Sequence, residues 1–416
     1  MNRFDLIVVG GGAAGVFCAV HAADRHPGLR VAVLERTERL LSKVRVSGGG
    51  RCNVTHDCSD MDRMSRGYPR GARFVRRAFH RFFTDDTVRW FGERGVRLVA
   101  EADGRMFPST NRSESVVDCL MGEARRVGVE FLFRSEPARV EREAAGFCLT
   151  MRDGRRLLAG RLCVATGGIR KAEQLDWVAG LGHRVVDPVP SLFTFNLPGH
   201  PIRGLMGVSV PDAAVRVDGS RQDHRGAVLV THWGLSGPAV LKASAWHARE
   251  MHALGYRFPF QVRWLPGLTH ADIVDRWAEM RRTRGSGLVA GRCPFDLPGR
   301  LWQFLVEAAG VPATGRWADL NTRQAESLAA HLLRHAFQAE GQTAYKEEFV
   351  TAGGICTTEV DPSSMESRIV PGLYFAGEVL DVDGITGGYN FQHAWTSGWT
   401  AADHIARSLA GPPEGR

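Results

Sequence analysis

The chain has 416 residues, 44% of them apolar, and a net charge of +8 from 53 basic and 45 acidic side chains. That length allows two or three domains with full-sized cores. It excludes a bilayer-spanning helix, because no apolar run approaches the roughly 18–20 residues required, and the eight scattered cysteines hold no C-x-x-C to indicate a zinc site or disulfide framework.

The N-terminus lacks the layout of a signal peptide, so a soluble cytoplasmic protein is expected. Arginine supplies all but four of the basic residues. A coding bias explains Arg in place of Lys. It does not explain the excess over acids, so the charge points modestly to a polyanionic partner.

Asp5-Leu6-Ile7-Val8-Val9 reads as a short buried strand. It runs into Gly10-Gly11-Gly12-Ala13-Ala14-Gly15, a G-x-G-x-x-G turn, and then into a helix to about residue 25. A second strand over 30–35 ends in Glu35, 20 residues after Gly15. Each part has a physical task in binding a dinucleotide. Gly10 turns the chain off the strand. Gly12 lets backbone approach a pyrophosphate, and Gly15 lets helix pack on strand. The helix N-terminus offers unpaired N–H groups and a positive dipole end. Glu35 accepts from a ribose diol and disfavours a 2′-phosphate.

The Gly-rich loop over 47–50 follows. From Asp62 to Phe83 seven arginines occur with no further acid, while Phe74, Val75, Ala78, Phe79 and Phe82 recur at helical spacing. This predicts an amphipathic helix whose arginine face is either solvated or in contact with phosphate; Arg70, Arg73 and Arg77 are the candidate ligands of a polyanionic substrate. Strand-like runs follow at 131–133, 139–141 and 147–151, and at 161–165 before Thr166-Gly167-Gly168. After Asp187-Pro188-Val189-Pro190 the texture turns β-rich to about 268. It turns helical from 269 to 344, including a run over 327–337. The Gly-rich stretch 285–291 is read as a linker. Residues 372–378 form a buried strand entering a loop, and Thr386-Gly387-Gly388-Tyr389 opens a helix to about 409. The dinucleotide domain is therefore expected to be discontinuous, 1–190 plus 345–416, with a β-rich domain over 191–268 and a small helical domain over 269–344.

Three stretches carry a resemblance: Ser47-Gly48-Gly49-Gly50-Arg51-Cys52-Asn53-Val54-Thr55, then Thr231-His232-Trp233-Gly234-Leu235-Ser236-Gly237-Pro238, then 377–392 from Gly377-Glu378 to Gly387-Gly388-Tyr389-Asn390-Phe391-Gln392. Together they resemble the bacterial YhiN/BaiN-like flavoproteins, within the two-dinucleotide-binding-domain flavoproteins. The resemblance implies an α/β fold, a Rossmann-like FAD-binding domain with an inserted β-barrel-like domain and a small helical domain. It also implies reduction of a C=C bond conjugated to a carbonyl. Some members look like reductases of a uridine in large-subunit ribosomal RNA, making dihydrouridine; BaiN-like members are associated with steroid-type enones. His56 departs from the pattern, since many relatives carry Asn there.

FAD supplies the hydride chemistry and the protein supplies position and electrostatics. Gly10, Gly12, Ala14, Gly15 and Glu35 are assigned to the ADP half, with Arg36 and Lys43 in reach of adenine or phosphate. Gly50, Arg51, Thr166, Gly167, Gly168, Gly377 and Glu378 are expected to line the cofactor. The resemblance implies that the last helix points its N-terminus at the flavin pyrimidine, through Gly387, Gly388, Tyr389 and Asn390. Asp381 and Asp383 are either ribityl ligands or turn formers. Reducing an enone also needs a proton. Cys52 is the expected donor, with His232 a second candidate; packing roles are the alternatives for both. No second strand-linked G-x-G-x-x-G occurs, so NADH or NADPH would visit only transiently. No metal is expected. Three functions compete: an rRNA uridine reductase, a reductase of a small enone, and a flavin-stabilised RNA-binding protein without turnover. The oligomeric state is left open.

Overall fold

The computed structural model describes residues 2–343 and 350–410. It divides into two compact units, Met1–Ser191 with Lys346–Arg416, and Leu192–Tyr345.

The first unit is built on a parallel sheet. β1 (Asn2–Val9) is followed by α1 (Ala13–Arg25) and β2 (Val31–Leu34). β1 lies between β2 and the strand Arg156–Val164, with Val8 opposite Val33 on one side and Cys163 on the other. A strand covered on both faces reads as a continuous apolar run, and Leu6, Ile7 and Val8 are fully buried. Glu130–Leu132 extends the sheet beyond β2, and Leu373–Phe375 pairs with the far half of Arg156–Val164. The near half of that strand carries the antiparallel hairpin Pro137–Glu143 and Gly146–Met151. The terminal helix Tyr389–Leu409 packs on α1. Gly398 allows this, because a Cβ there would stand 2.6 Å from the Ala14 carbonyl oxygen.

Residues 187–190, after which the texture changes, are themselves in a strand. They belong to the strand Val185–Ser191, paired antiparallel with Val350–Ile355. The register shifts between Val186 and Val189, where the ladder can spare the N–H that Pro188 lacks.

The second unit is a seven-stranded antiparallel sheet whose path begins at His335–Glu340 and ends at Gln342–Thr343. Only Gly341 separates those two strands in the chain, so the sheet curls until its ends meet. The helix Thr322–Arg334 packs on it, and His270–Arg284 and Gly299–Ala308 pack on that helix. Strand and helix residues share one core, with Trp264, Trp277, Trp302 and Trp317 buried together. The expected division into domains at 191–268 and 269–344 is therefore corrected to one compact unit. The helical run over 327–337 is corrected too. Its helix stops at Arg334, and His335, Phe337 and Ala339 point inward in alternation as a strand.

Candidate functional site

The glycines of the first turn do three different things. Gly10 has φ +117°, and a Cβ would lie 2.2 Å from the Ala165 carbonyl oxygen, so this turn hugs the end of the neighbouring strand. Gly15 sits against the Gly10 carbonyl, where a Cβ would approach to 2.0 Å. Gly12 faces open space, with no protein atom within 4 Å of a Cβ. It is also the N-cap of α1, and no side chain caps that end. Space, unclaimed helix N–H groups and a positive dipole end coincide there, which is what a pyrophosphate requires. Glu35 leaves β2 beside this turn. One carboxylate oxygen accepts from the Gly11 N–H at 3.1 Å. The other accepts from the Thr37 N–H and hydroxyl, each at 2.8 Å. Arg36 is exposed.

A second group gathers behind the turn. The Lys43 ammonium donates to Glu378 at 2.6 Å. The other Glu378 oxygen accepts from the Thr351 N–H at 3.0 Å, and a Cβ on Gly168 would reach that oxygen at 2.4 Å. Gly377 abuts Ala14. Thr166 is exposed and Gly167 has φ +75°. Lys43 and Glu378 hold each other and join loops that are far apart in the chain.

The segments 47–56 and 384–392 form one object. Gly48, Gly49 and Gly50 all have positive φ. The chain then turns inward so that Asn53, Thr55 and His56 grip the start of the terminal helix. Asn53 donates to the Thr55 carbonyl at 3.0 Å and accepts from the Gly388 N–H at 3.1 Å. His56 Nδ1 donates to the Gly387 carbonyl at 3.0 Å, and its ring packs on Tyr389 at 4.9 Å. Gly388 is the helix N-cap, with φ +92°, and a Cβ would meet the Thr55 carbonyl at 2.3 Å. The Tyr68 hydroxyl donates to the Tyr389 carbonyl at 2.6 Å. Gln392 accepts from the Thr55 and Thr87 hydroxyls. Asn390 closes the loop before the helix, accepting from the Gly384 N–H at 2.8 Å and donating to its carbonyl at 2.9 Å. Asn53, Tyr68 and Gln392 were not singled out from sequence. Two of them lie inside the quoted motifs, but nothing local shows that the motifs meet.

Residues 4–404 match the HI0933-like protein Rossmann domain family. The chain belongs to this family of flavoproteins. The HI0933-like chain is 31% identical to the Escherichia coli "Ribosomal RNA dihydrouridine synthase", over 97% of this chain and 98% of that protein. It is 29% identical to the Clostridium scindens "3-dehydro-bile acid delta(4,6)-reductase", over 96% and 98%. Among solved structures, an E. coli quinol fumarate reductase FrdA variant matches with TM-score 0.52 at 16% identity, covering 100% of this chain and 72% of that one. The Rhodococcus jostii 3-ketosteroid-delta4-(5alpha)-dehydrogenase matches with TM-score 0.51 at 14% identity, covering 97% of each. At these identities the likeness is one of fold. The HI0933-like chain is thus an FAD-dependent oxidoreductase. The open cradle at Gly12, the uncapped helix end there, and Glu35 at the strand end fit that cofactor.

Several expected site residues have other roles in the HI0933-like structure. Cys52 is fully buried with φ +61°, and burial pushes its thiol up to about 12. A thiol closed off from solvent and held neutral is a poor proton donor, so Cys52 is corrected to a packing residue. Native protein is expected to leave Cys52 unlabelled by a disulfide reagent at pH 8, with labelling only on unfolding. Stoichiometric labelling of Cys52 without loss of fold would contradict this burial. Arg51 points away from the thiol, bonding Glu101 at 2.7 Å and lying over the Phe107 ring at 3.9 Å.

Asp383 and Arg70 are paired with each other. The Arg70 guanidinium donates twice to the Asp383 carboxylate, which also accepts from the Ser191 hydroxyl at 2.9 Å. Burial raises the Asp383 carboxyl above its ordinary value while Arg70 opposes the shift. Asp383 is corrected from a ribityl ligand to an internal anion, and Arg70 from an RNA ligand to its counter-ion. Arg73 and Arg77 do stand exposed on the helix Ala72–Phe79, whose Phe74, Val75, Ala78 and Phe79 are buried. His232 lies in the other unit. It is exposed, its ring is 4.7 Å from Trp233, and its carbonyl accepts from Arg203 at 2.7 Å.

A Glu–His–Ser chain also occurs. His183 bonds Glu359 through Nδ1 at 3.2 Å and Ser367 through Nε2 at 2.8 Å. It is no hydrolytic relay, because the Ser367 oxygen already accepts from the Ile369 and Val370 N–H groups. Among the described residues, no cluster of three or more His, Cys, Asp or Glu could hold a metal ion, and no helix is long and apolar enough to cross a membrane.

Two buried histidines give the first unit an acid limit. His21 donates from Nδ1 to the Phe17 carbonyl at 2.8 Å, and His393 donates from Nε2 to the Gly377 carbonyl at 3.2 Å. Burial lowers both from 6.5 to about 4. A lowered folded-state value means stability present above pH 6.5 and lost as pH falls toward 4, up to about 3 kcal/mol per ring. Melting temperature should therefore fall steeply over that window, and less steeply for His21→Leu. Equal slopes would remove His21 as a cause.

Proposed function

We propose that this protein reduces a C=C bond conjugated to a carbonyl, and that its substrate is a uridine of large-subunit ribosomal RNA, which becomes dihydrouridine. The observation that carries the RNA reading is an uncompensated arginine surface. Arg63, Arg66, Arg73 and Arg77 are exposed and make no ion pair with the described residues, whereas Arg76 and Arg81 pair with Asp62 and Asp403. A small apolar enone has no use for such a surface; a phosphate backbone does. The names of the E. coli and Haemophilus influenzae relatives support the same reading.

When bound, FAD supplies the hydride. The chain does the rest. The α1 N-terminus at Gly12 neutralises pyrophosphate charge, and Glu35 accepts from the ribose diol. The terminal helix presents its positive end at Gly388 toward developing negative charge. With Cys52 buried, the proton for the second carbon falls to Tyr389 or to water. Burial pushes the Tyr389 phenol up to about 12, which keeps it protonated at neutral pH. NADH or NADPH is the proposed electron donor, and the cytoplasm the proposed location.

Mass analysis of ribosomal RNA from a deletion strain tests the proposal. Loss of one dihydrouridine, restored by complementation, is expected; an unchanged inventory overturns it. The Clostridium scindens relative favours the alternative, a steroid-like enone, and anaerobic reoxidation of the reduced protein by a panel of enones would reveal that activity. In RNA binding, Arg73→Glu with Arg77→Glu should reduce the slope of log K against log salt by about 1.4, at roughly 0.7 per phosphate on a single strand. An unaltered slope places the RNA elsewhere.

A further inference from the structure

The terminal helix brings three arginines onto one buried carboxylate. Trp399, Asp403 and Arg407 recur every four residues along Tyr389–Leu409, so they share one face. The Asp403 side chain is only 2% exposed. One of its oxygens meets Arg25, the last residue of α1, at 2.7 Å. The other meets Arg81 and Arg407, each at 2.8 Å, and Arg407 also reaches the first oxygen at 3.1 Å. Asp24, the acid beside Arg25 in the chain, is taken by Arg126 at 2.6 Å. Among the described residues no other acid pairs with these three arginines, so three cations share one anion.

A buried carboxylate needs one counter-ion, and Asp403 has two more than that. Each guanidinium spends a single nitrogen on Asp403, out of five N–H donors. The three side chains are 38%, 36% and 66% exposed, and no described residue takes their remaining N–H groups. The cluster is also held in place. The Arg25 guanidinium lies 4.7 Å from the centre of the Trp399 ring, which stacks in turn on Phe82 at 5.5 Å. Arg25 is thus fixed by a carboxylate and by a ring. An anion arriving here meets donors whose ordering is already complete.

We propose that Arg25, Arg81 and Arg407, positioned by Asp403, clamp a backbone phosphate of single-stranded RNA. The inference rests on the RNA reading above and adds where the strand is held. Guanidinium forks match phosphate oxygens and bind them with charge-assisted hydrogen bonds. The cluster does not stand alone. Arg73, Arg77 and Arg81 recur every four residues, about 6 Å per step along a helix. Arg81 continues the last turn of Ala72–Phe79, with its N–H on the Ala78 carbonyl at 2.9 Å. Arg73 and Arg77 are exposed and unpaired with any described acid. A small anion would use one such site. A row of cations ending in a preset cluster suits an anion that repeats along a chain.

The test measures binding of a short labelled single-stranded RNA to the full chain with its FAD, by fluorescence anisotropy over a salt series. Arg25→Gln combined with Arg407→Gln leaves Arg81 to neutralise Asp403, so melting temperature should be retained. Affinity should fall by at least about tenfold. The slope of log K against log salt should fall by about 0.7, for one phosphate released. If the double variant melts early, Arg407→Gln alone, at the most exposed of the three, is measured instead and should lower affinity in the same direction. Arg139→Gln with Arg152→Gln removes equal charge near the sheet hairpin, where both pair with glutamates, and should change neither quantity. Parental affinity in the cluster variants overturns the clamp, as does an equal loss in the hairpin control. Binding of poly-glutamate as tight as that of RNA overturns the phosphate assignment. RNA bound undiminished by the cluster variants leaves the reductase reading standing. An unchanged dihydrouridine inventory in the deletion strain removes that reading and leaves the clamp.

Discussion

Asp383→Ala is expected to destabilise the FAD unit by about 3–5 kcal/mol, the usual cost of stranding one partner of a buried ion pair. Asp383 is fully buried and the Arg70 side chain is 15% exposed, so the guanidinium left behind has little access to water. Ser191 loses an acceptor in the same step. The pair also joins the end of the arginine-rich stretch to the loop before the terminal helix, through a backbone bridge between Arg70 and Asp383. The melting temperature should fall on the order of 10 °C. Arg70→Met combined with Asp383→Leu should recover most of the loss, because no charge is then buried. A single variant that melts like the parent would mean that water reaches Arg70. A double variant no better than the single one would mean that the bridge, not the charge, is what matters.

Gly12→Ala and Gly15→Ala should fail in different ways. At Gly15 the new methyl group would sit 2.0 Å from the Gly10 carbonyl oxygen. Backbone cannot yield cheaply there, so helix and strand must separate. Overpacking of this kind costs about 1–3 kcal/mol or more, and melting temperature should drop with or without FAD. At Gly12 the methyl enters open space. The apoprotein should melt like the parent, while FAD affinity falls by about ten- to hundredfold as the methyl meets the pyrophosphate. Flavin absorbance after gel filtration, and apoprotein melting, distinguish the two. Full flavin retention by Gly12→Ala would remove this turn from the cofactor site.

The start of the chain was readable because its signals are local. An apolar run, a glycine turn and a helix period lie within 35 residues, and each reports on its neighbours. The strands near 131, 147 and 161 and the terminal helix were readable for the same reason. What escaped were features fixed by distant partners. Val185–Ser191 holds two prolines and looks like a break until Val350–Ile355 lies beside it. His335–Glu340 continues a helical pattern until its alternation meets Arg257–Arg263. Asp383 and Arg70 lie 313 residues apart, and nothing near either one announces the other. Cys52 sits in a glycine-rich loop, which suggests exposure. Its burial comes from the turn made by Gly48 to Gly50, which drives the thiol inward while Arg51 swings out.

The strand Leu373–Phe375 and the terminal helix complete a sheet begun by the first residues of the chain. During synthesis the ribosome must deliver the whole of Leu192–Tyr345 before those pieces emerge. At about 5–20 residues per second that is a wait on the order of ten seconds. Throughout it, the outer edge of Arg156–Val164 has no partner for residues 162–164, and α1 lacks the helix that covers it. An open apolar edge of this kind invites pairing with other chains. The inserted unit, continuous in sequence, can finish first. A premature stop between residues 346 and 373 would therefore leave a folded insert tethered to an unfinished FAD unit, a species suited to capture by chaperones and degradation.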